Sequence, residues 1–192
     1  MLEEGIQTRC AESTPPRDSH LAARIRAGDR AAFKELFLEY YEALCRYAYR
    51  YVGAQDVAED LVQDVFFDLW NRRETWHPKH SLRAFLYGAV RNQTLNYQRR
   101  TRARVRGDDA VGGLLSLEDP EETFRYGELS RVAEQAIREL PPRCRHMFML
   151  SREHELTYAE IAAATGVSIK TVETQMGRAL QHLRDRLSSL RT

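Results

Sequence analysis

The chain has 192 residues, 43% hydrophobic and 30% charged, with a formal net charge of +1, which fits one ordinary domain or two small ones and excludes disorder by composition. Cys10, Cys45 and Cys144 are isolated and odd in number, so they suggest neither a disulfide framework nor a zinc site. No apolar run approaches ~18 residues and none follows Glu3 and Glu4, which predicts a soluble, cytoplasmic protein without a signal peptide or membrane insertion.

Residues 1–17 end in Thr14-Pro15-Pro16 and predict a flexible leader. Asp18 or Ser19 is expected to cap a first helix through Ala27, which Gly28-Asp29 ends. A second helix is predicted from about Ala31 to Val52. Its Phe33, Leu36, Phe37, Tyr40, Leu44, Tyr47, Ala48 and Tyr51 recur at three- and four-residue steps, and Gly53 stops it.

The third predicted helix, about Asp56 to Arg72, places Leu61, Val62, Val65, Phe66, Leu69 and Trp70 on one half of its surface. Asp60, Gln63 and Asp64 occupy the other half, with Phe67 among them. An aromatic side chain ringed by acids is either covered by another helix or anchors a partner.

Charge then changes sign. Asp56 to Glu74 holds six acids against Arg72 and Arg73. Thr75 to Gly107 holds none, but carries Lys79, Arg83, Arg91, Arg99, Arg100, Arg102, Arg104 and Arg106. Such segregation creates local potentials that the net charge conceals. An acid-free basic stripe is the footprint of a phosphate backbone, or else a solvated face. Pro78 breaks the helical pattern, and Ser81 is expected to cap a fourth helix bearing Leu82, Phe85, Leu86, Ala89, Val90 and Leu95. His77 and His80 stand alone, with no third ligand to complete a metal site.

Residues 103–123, with Gly107, Gly112-Gly113 and Asp119-Pro120, predict a linker between two helical modules. The second module has a helix ending at Leu140 and another opening at Pro141-Pro142. Thr157 and Glu160 then form a capping box. Gly166 breaks that helix, Val167 plugs the turn, and Ser168 caps a last helix running to about Leu190. Ala162, Gly166, Val167 and Val172 have the spacing of a helix-turn-helix, or of a purely structural helical hairpin.

In this order the motifs resemble the sigma-70 family. Asp56 through Trp70 is similar to the polymerase-binding helix of its region 2, and Phe85 through Arg100 to the segment that opens and reads the −10 element. Leu140-Pro141-Pro142-Arg143 and Leu156 through Leu183 look like region 4, which reads the −35 element. The missing middle domains point to the extracytoplasmic-function branch.

The resemblance implies an all-α fold of two small domains, region 2 over 18–104 and region 4 over 123–192, with the linker between them over 105–122. It implies a transcription initiation factor that is not an enzyme and needs no cofactor or metal, with core RNA polymerase, promoter DNA and an anti-sigma factor as partners. Carried over residue by residue, Asp60, Gln63, Asp64 and Phe67 would meet the polymerase. Arg83, Phe85, Tyr87, Arg91, Asn92, Asn96, Arg99 and Arg100 would meet −10 DNA. Ser168, Lys170, Thr171, Glu173, Thr174, Gln175 and Arg178 would meet −35 DNA. Relatives often carry Lys or Arg where this chain has Glu173 and Gln175, so its −35 preference is expected to differ.

Two rival functions remain at this stage. A helix-turn-helix regulator that binds DNA without polymerase explains the second half, but not an acidic helix beside a basic one. A nucleic-acid enzyme would need paired carboxylates at metal-ligand spacing beside nucleotide-binding glycines, a pattern the sequence does not have.

Overall fold

The computed structural model describes residues 16–78, 80–106 and 128–188, where all regular structure is helical. The expected leader and linker lie outside the described residues except at their edges, as do Cys10 and Lys79. α1 (Pro16–Arg26), α2 (Arg30–Val52), α3 (Gln55–Asn71) and α4 (Leu82–Arg106) form the first module. α5 (Glu128–Arg138), α6 (Pro142–Arg152), α7 (Tyr158–Thr165) and α8 (Ile169–Ser188) form the second. α4 stays helical through Arg106, a little into the stretch expected to be linker.

The apolar periodicities become the cores of the two modules, which run together into one buried cluster. Ile25, Leu36, Leu44, Val62, Leu86 and Val90 are fully buried in the first, each side chain contributing roughly 1.5–3 kcal/mol of transfer free energy. α2 and α3 are joined along an aromatic seam. Phe33 packs on Trp70 at 4.9 Å, Phe37 on Phe66 at 4.9 Å, and Phe37 stacks on Tyr41 at 4.5 Å. In the second core Leu140, Leu150, Ile161, Val172 and Met176 are buried.

Most helix starts sit where local chemistry puts them. Asp29 Oδ1 accepts from the backbone N–H groups of Ala31 and Ala32 at 2.8 and 3.1 Å, satisfying two otherwise orphaned donors of α2. Thr157 and Glu160 make the reciprocal capping box of α7. Gly166 ends α7 at φ 74°, a left-handed conformation that side chains with a Cβ resist.

The start of α1 corrects the sequence reading. α1 begins at Pro16, a residue whose fixed φ suits a first helical turn, so Asp18 lies inside the helix and does not cap it. Its Oδ2 accepts from Leu82 N at 2.9 Å and so caps α4, alongside Ser81 Oγ, which accepts from Ala84 N at 3.1 Å.

The two modules meet along α2 and α4. Tyr51 donates to Tyr47 Oη at 3.0 Å, and Tyr47 Oη lies 3.1 Å from His146 Nε2. Tyr87 Oη lies 2.9 Å from His154 Nδ1. Burial, then the charge of Arg91 and the proximity of the second ionisable ring, His154, push the His146 pKa down to about 3. Burial, then Arg50, Arg46 and Arg83, push His154 down to about 4. Both rings are therefore neutral at pH 7, and Tyr47, whose oxygen already accepts from Tyr51, donates to His146 Nε2. Among the described residues, His154 Nε2 and Arg91 Nε are buried with no hydrogen-bond partner. Such orphans cost about 1–3 kcal/mol each.

Around this centre, Arg50 pairs with Glu153 at 2.8 Å and Arg83 donates to the Glu155 carbonyl at 3.1 Å. Ser81 Oγ donates to the Glu160 carboxylate. At Gly88 the helices come so close that an added Cβ would lie 3.3 Å from the Ala164 Cα and carbonyl oxygen. A side chain at this position would press on the Ala164 backbone, which would have to give by a few tenths of an ångström.

Candidate nucleic-acid interface

On α3 the core stripe of Ala58, Val62, Val65, Phe66 and Leu69 is buried, which turns Asp60, Gln63, Asp64 and Phe67 outward. Phe67 is 66% exposed, so no helix among the described residues covers it. Gln63 Nε2 donates to Tyr41 Oη at 3.3 Å, holding that side chain across the α2–α3 seam. Among the described residues neither Asp60 nor Asp64 has an ion-pair partner, so their charge faces solvent uncompensated.

Along α4 the eight expected DNA residues separate into three places. Phe85, Asn92 and Asn96 line a cavity of about 540 Å³ together with Leu69, Arg72 and Trp76. Trp76 and Phe85 pack there at 5.3 Å, and Asn92 and Asn96 are exposed. Arg99 and Arg100 are exposed further along the helix. Arg83, Tyr87 and Arg91 instead face the second module, and Tyr87 is only 2% exposed.

Arg72 and Trp76 were not singled out from the sequence. The signal available for them was an aromatic residue in the helix break where acidic gives way to basic sequence. His77 is engaged by Arg26, whose Nη1 lies 2.6 Å from His77 Nδ1. Among the described residues no three His, Cys, Asp or Glu side chains converge as a metal site.

On α8, Val172, Met176, Ala179 and Leu183 are buried, as the helical period requires. Ser168, Lys170, Thr171, Glu173, Thr174 and Arg178 are exposed on the other side. Ser168 Oγ accepts from Thr171 N at 3.1 Å, and Thr174 Oγ1 donates to the Lys170 carbonyl at 2.8 Å. Gln175 is half-buried, with its Oε1 accepting from Cys144 Sγ at 2.7 Å. Among the described residues Glu173 has no ion-pair partner, neither Lys170 nor an arginine.

Comparison with known proteins gives these surfaces a common origin. Residues 36–104 match the family model of sigma-70 region 2, and residues 130–183 that of sigma-70, region 4. The ECF RNA polymerase sigma factor SigE of Mycolicibacterium smegmatis is 31% identical over 84% of this chain, which spans 65% of that relative's length. SigW of Bacillus subtilis is 25% identical over 87% of this chain and 95% of its own. The solved structure of CnrH with the cytosolic domain of CnrY superposes with a TM-score of 0.59 at 28% identity, covering 90% of this chain and 96% of that one. With the two regions matched in order and ECF relatives aligning across both, the chain belongs to the sigma-70 family, in its extracytoplasmic-function subfamily.

Proposed function

We propose that this ECF sigma factor, which directs RNA polymerase to promoters and catalyses no reaction itself, divides the work among three surfaces. The acidic face of α3, with Asp60, Gln63, Asp64 and Phe67, docks on a basic helical element of the core enzyme. The cavity between α3 and α4 receives an unstacked base of the melted −10 strand, with Trp76 and Phe85 as aromatic faces, Asn92 and Asn96 as edge readers, and Arg99 and Arg100 on phosphates. α8 lies in the major groove at the −35 element. The operative units are region 2 over 18–104 and region 4 over 123–192, and the protein acts in the cytoplasm. Among the described residues no helix is long and apolar enough to cross a membrane. CnrH is seen with CnrY, and an anti-sigma factor holding this chain is part of the proposal.

The observation that carries the reading is the exposed acid-and-Phe67 face on α3 set directly against the acid-free helix that lines the cavity. Run-off transcription with core polymerase on genomic fragments tests it. Defined start sites are expected with both components present and none with either alone. A DNA footprint by the isolated chain, unchanged by core enzyme, would instead indicate a regulator that works without polymerase.

Asn92→Ala is expected to leave polymerase binding intact and to reduce open-complex formation on duplex templates by about tenfold or more, the scale of losing one base contact. A template melted in advance at −10 should recover part of this. Equal losses on both templates would make Asn92 merely structural.

Glu173 is exposed, has no ion-pair partner among the described residues and cannot contact phosphate favourably, so its route to specificity is to accept from a cytosine amino group. Glu173→Ala should change the preferred base at one −35 position, an effect of ~1–3 kcal/mol. A randomised −35 library transcribed by both proteins checks this, and an unchanged base profile removes the readout role.

A further inference from the structure

We propose that Cys144 on α6 decides what Gln175 on α8 can read. By holding the amide oxygen, the thiol leaves Gln175 only its N–H groups, so the side chain addresses base acceptors at the −35 element and not the paired donor and acceptor of an adenine. The inference deepens the −35 role proposed for α8 and rests on it.

The geometry separates Gln175 from its neighbours. Ser168, Lys170, Thr171, Glu173, Thr174 and Arg178 are exposed, and the hydrogen bonds of Ser168, Thr171 and Thr174 stay within α8 and its cap. Gln175 is half-buried and bonded across to another helix, its Oε1 accepting from Cys144 Sγ at 2.7 Å. By the helical period it lies on the same flank of α8 as Thr171, one turn before it, and Arg178, one turn after it. That flank runs between the buried stripe of Val172, Met176 and Ala179 and the open face.

Cys144 is 1% exposed, so the oxygen it holds sits at the seam between α6 and α8. Burial pushes the thiol up from its ordinary value, and the charge of nearby Arg178 offsets only part of this. The sulfur therefore keeps its hydrogen at neutral pH and is the donor.

The consequence follows from what an amide can offer. Glutamine has one accepting end and one donating end. Its pair with adenine uses both, the oxygen accepting from the N6 amino group while the nitrogen donates to N7, side by side on one base edge. An oxygen kept at the seam by a buried thiol does not join such a pair. The N–H groups that remain match guanine, which offers O6 and N7, or thymine O4. Cys144 is thus a positioning residue: it never touches DNA, and it acts on base preference through Gln175.

Transcription of a randomised −35 library by core polymerase with the full-length chain tests this. Cys144→Ala and Cys144→Val both remove the donor, and each should raise adenine over guanine about tenfold at one −35 position, towards the lower end of what a bidentate contact is worth. Cys144→Ser, whose hydroxyl still donates, should keep the wild-type profile. Gln175→Ala should flatten that same position, and adding Cys144→Ala to it should change nothing more. A thiol with a purely structural role would instead lower transcription from all sequences alike.

The contact has a signature of its own. With Cys10→Ala and Cys45→Ala in place, the infrared S–H stretch of Cys144 should move to higher frequency in Gln175→Ala, where its acceptor is gone. An unchanged profile in the Cys144 variants, where Gln175→Ala does alter it, would overturn the inference and leave base reading by α8 standing. A Cys144→Ala shift that survives the loss of Gln175 would overturn it as well, since the thiol would then act by another route. A profile that Gln175→Ala leaves unaltered, while the S–H stretch still responds, would refute base reading by Gln175 and the inference with it.

Discussion

Asp60→Lys combined with Asp64→Lys is expected to abolish assembly with core polymerase while the helical content by circular dichroism stays at the wild-type level. Both carboxylates are exposed and lack an ion-pair partner among the described residues, so reversing them breaks nothing inside the fold. Both lie off the buried stripe of Ala58, Val62, Val65, Phe66 and Leu69, so α3 keeps its packing. At a docked interface, close charge pairs couple by roughly 1.5–7 kcal/mol. Turning two attractions into two repulsions therefore removes at least about 3 kcal/mol, more than a hundredfold in affinity. Gel filtration of the mixture reports the result directly. Co-elution of the double variant with core enzyme at wild-type yield would show that α3 is not the docking element.

Mild acid is expected to weaken the chain through two buried histidines. The pKa values of His146 and His154 lie at about 3 and about 4 in the folded chain, because burial and surrounding positive charge disfavour the imidazolium. The groups facing them are Tyr47, Tyr51, Arg46 and Arg50 from α2 and Tyr87, Arg83 and Arg91 from α4. No carboxylate among these would welcome a proton.

A folded-state pKa below the ordinary 6.5 means that stability is fully present above pH 6.5 and is lost as pH falls towards the folded values. At pH 5 each histidine contributes a loss of roughly 2 kcal/mol, from 1.5 pH units at 1.36 kcal/mol each. Urea titrations of the wild type at pH 7 and pH 5 should differ by about twice that. The double variant His146→Gln with His154→Gln should lose most of the difference. Equal pH dependence in both proteins would place the acid sensitivity elsewhere.

The parts of this molecule legible in sequence are those decided within one or two helical turns. The Thr157–Glu160 box, the left-handed Gly166, the inward set of Val172, Met176, Ala179 and Leu183, and the outward Asp60–Phe67 face all follow from spacing along one helix. The misreadings and omissions are long-range. Asp18 looks like the cap of its own helix but serves Leu82, 64 residues on. Tyr47 reads as ordinary core, yet its hydroxyl meets His146, 99 residues away. Tyr87 carries the resemblance to a DNA-reading segment, but the chain supplies a histidine of its own to occupy it. Period and propensity contain no information about which distant polar group will arrive opposite a phenol.

The contact between Ser81 and Glu160 links two residues that each already hold a helix start. Ser81 Oγ accepts from Ala84 N in α4, and Glu160 Oε2 accepts from the backbone and hydroxyl of Thr157 at 2.8 and 2.9 Å. When the modules part, the hydrogen bond between them is lost, but neither helix end frays, because each keeps its own cap and α4 keeps Asp18 as well. Separation then behaves as the release of a clasp between two rigid bodies rather than as partial melting. Such a separation would fall on the microsecond-to-millisecond scale of domain motion.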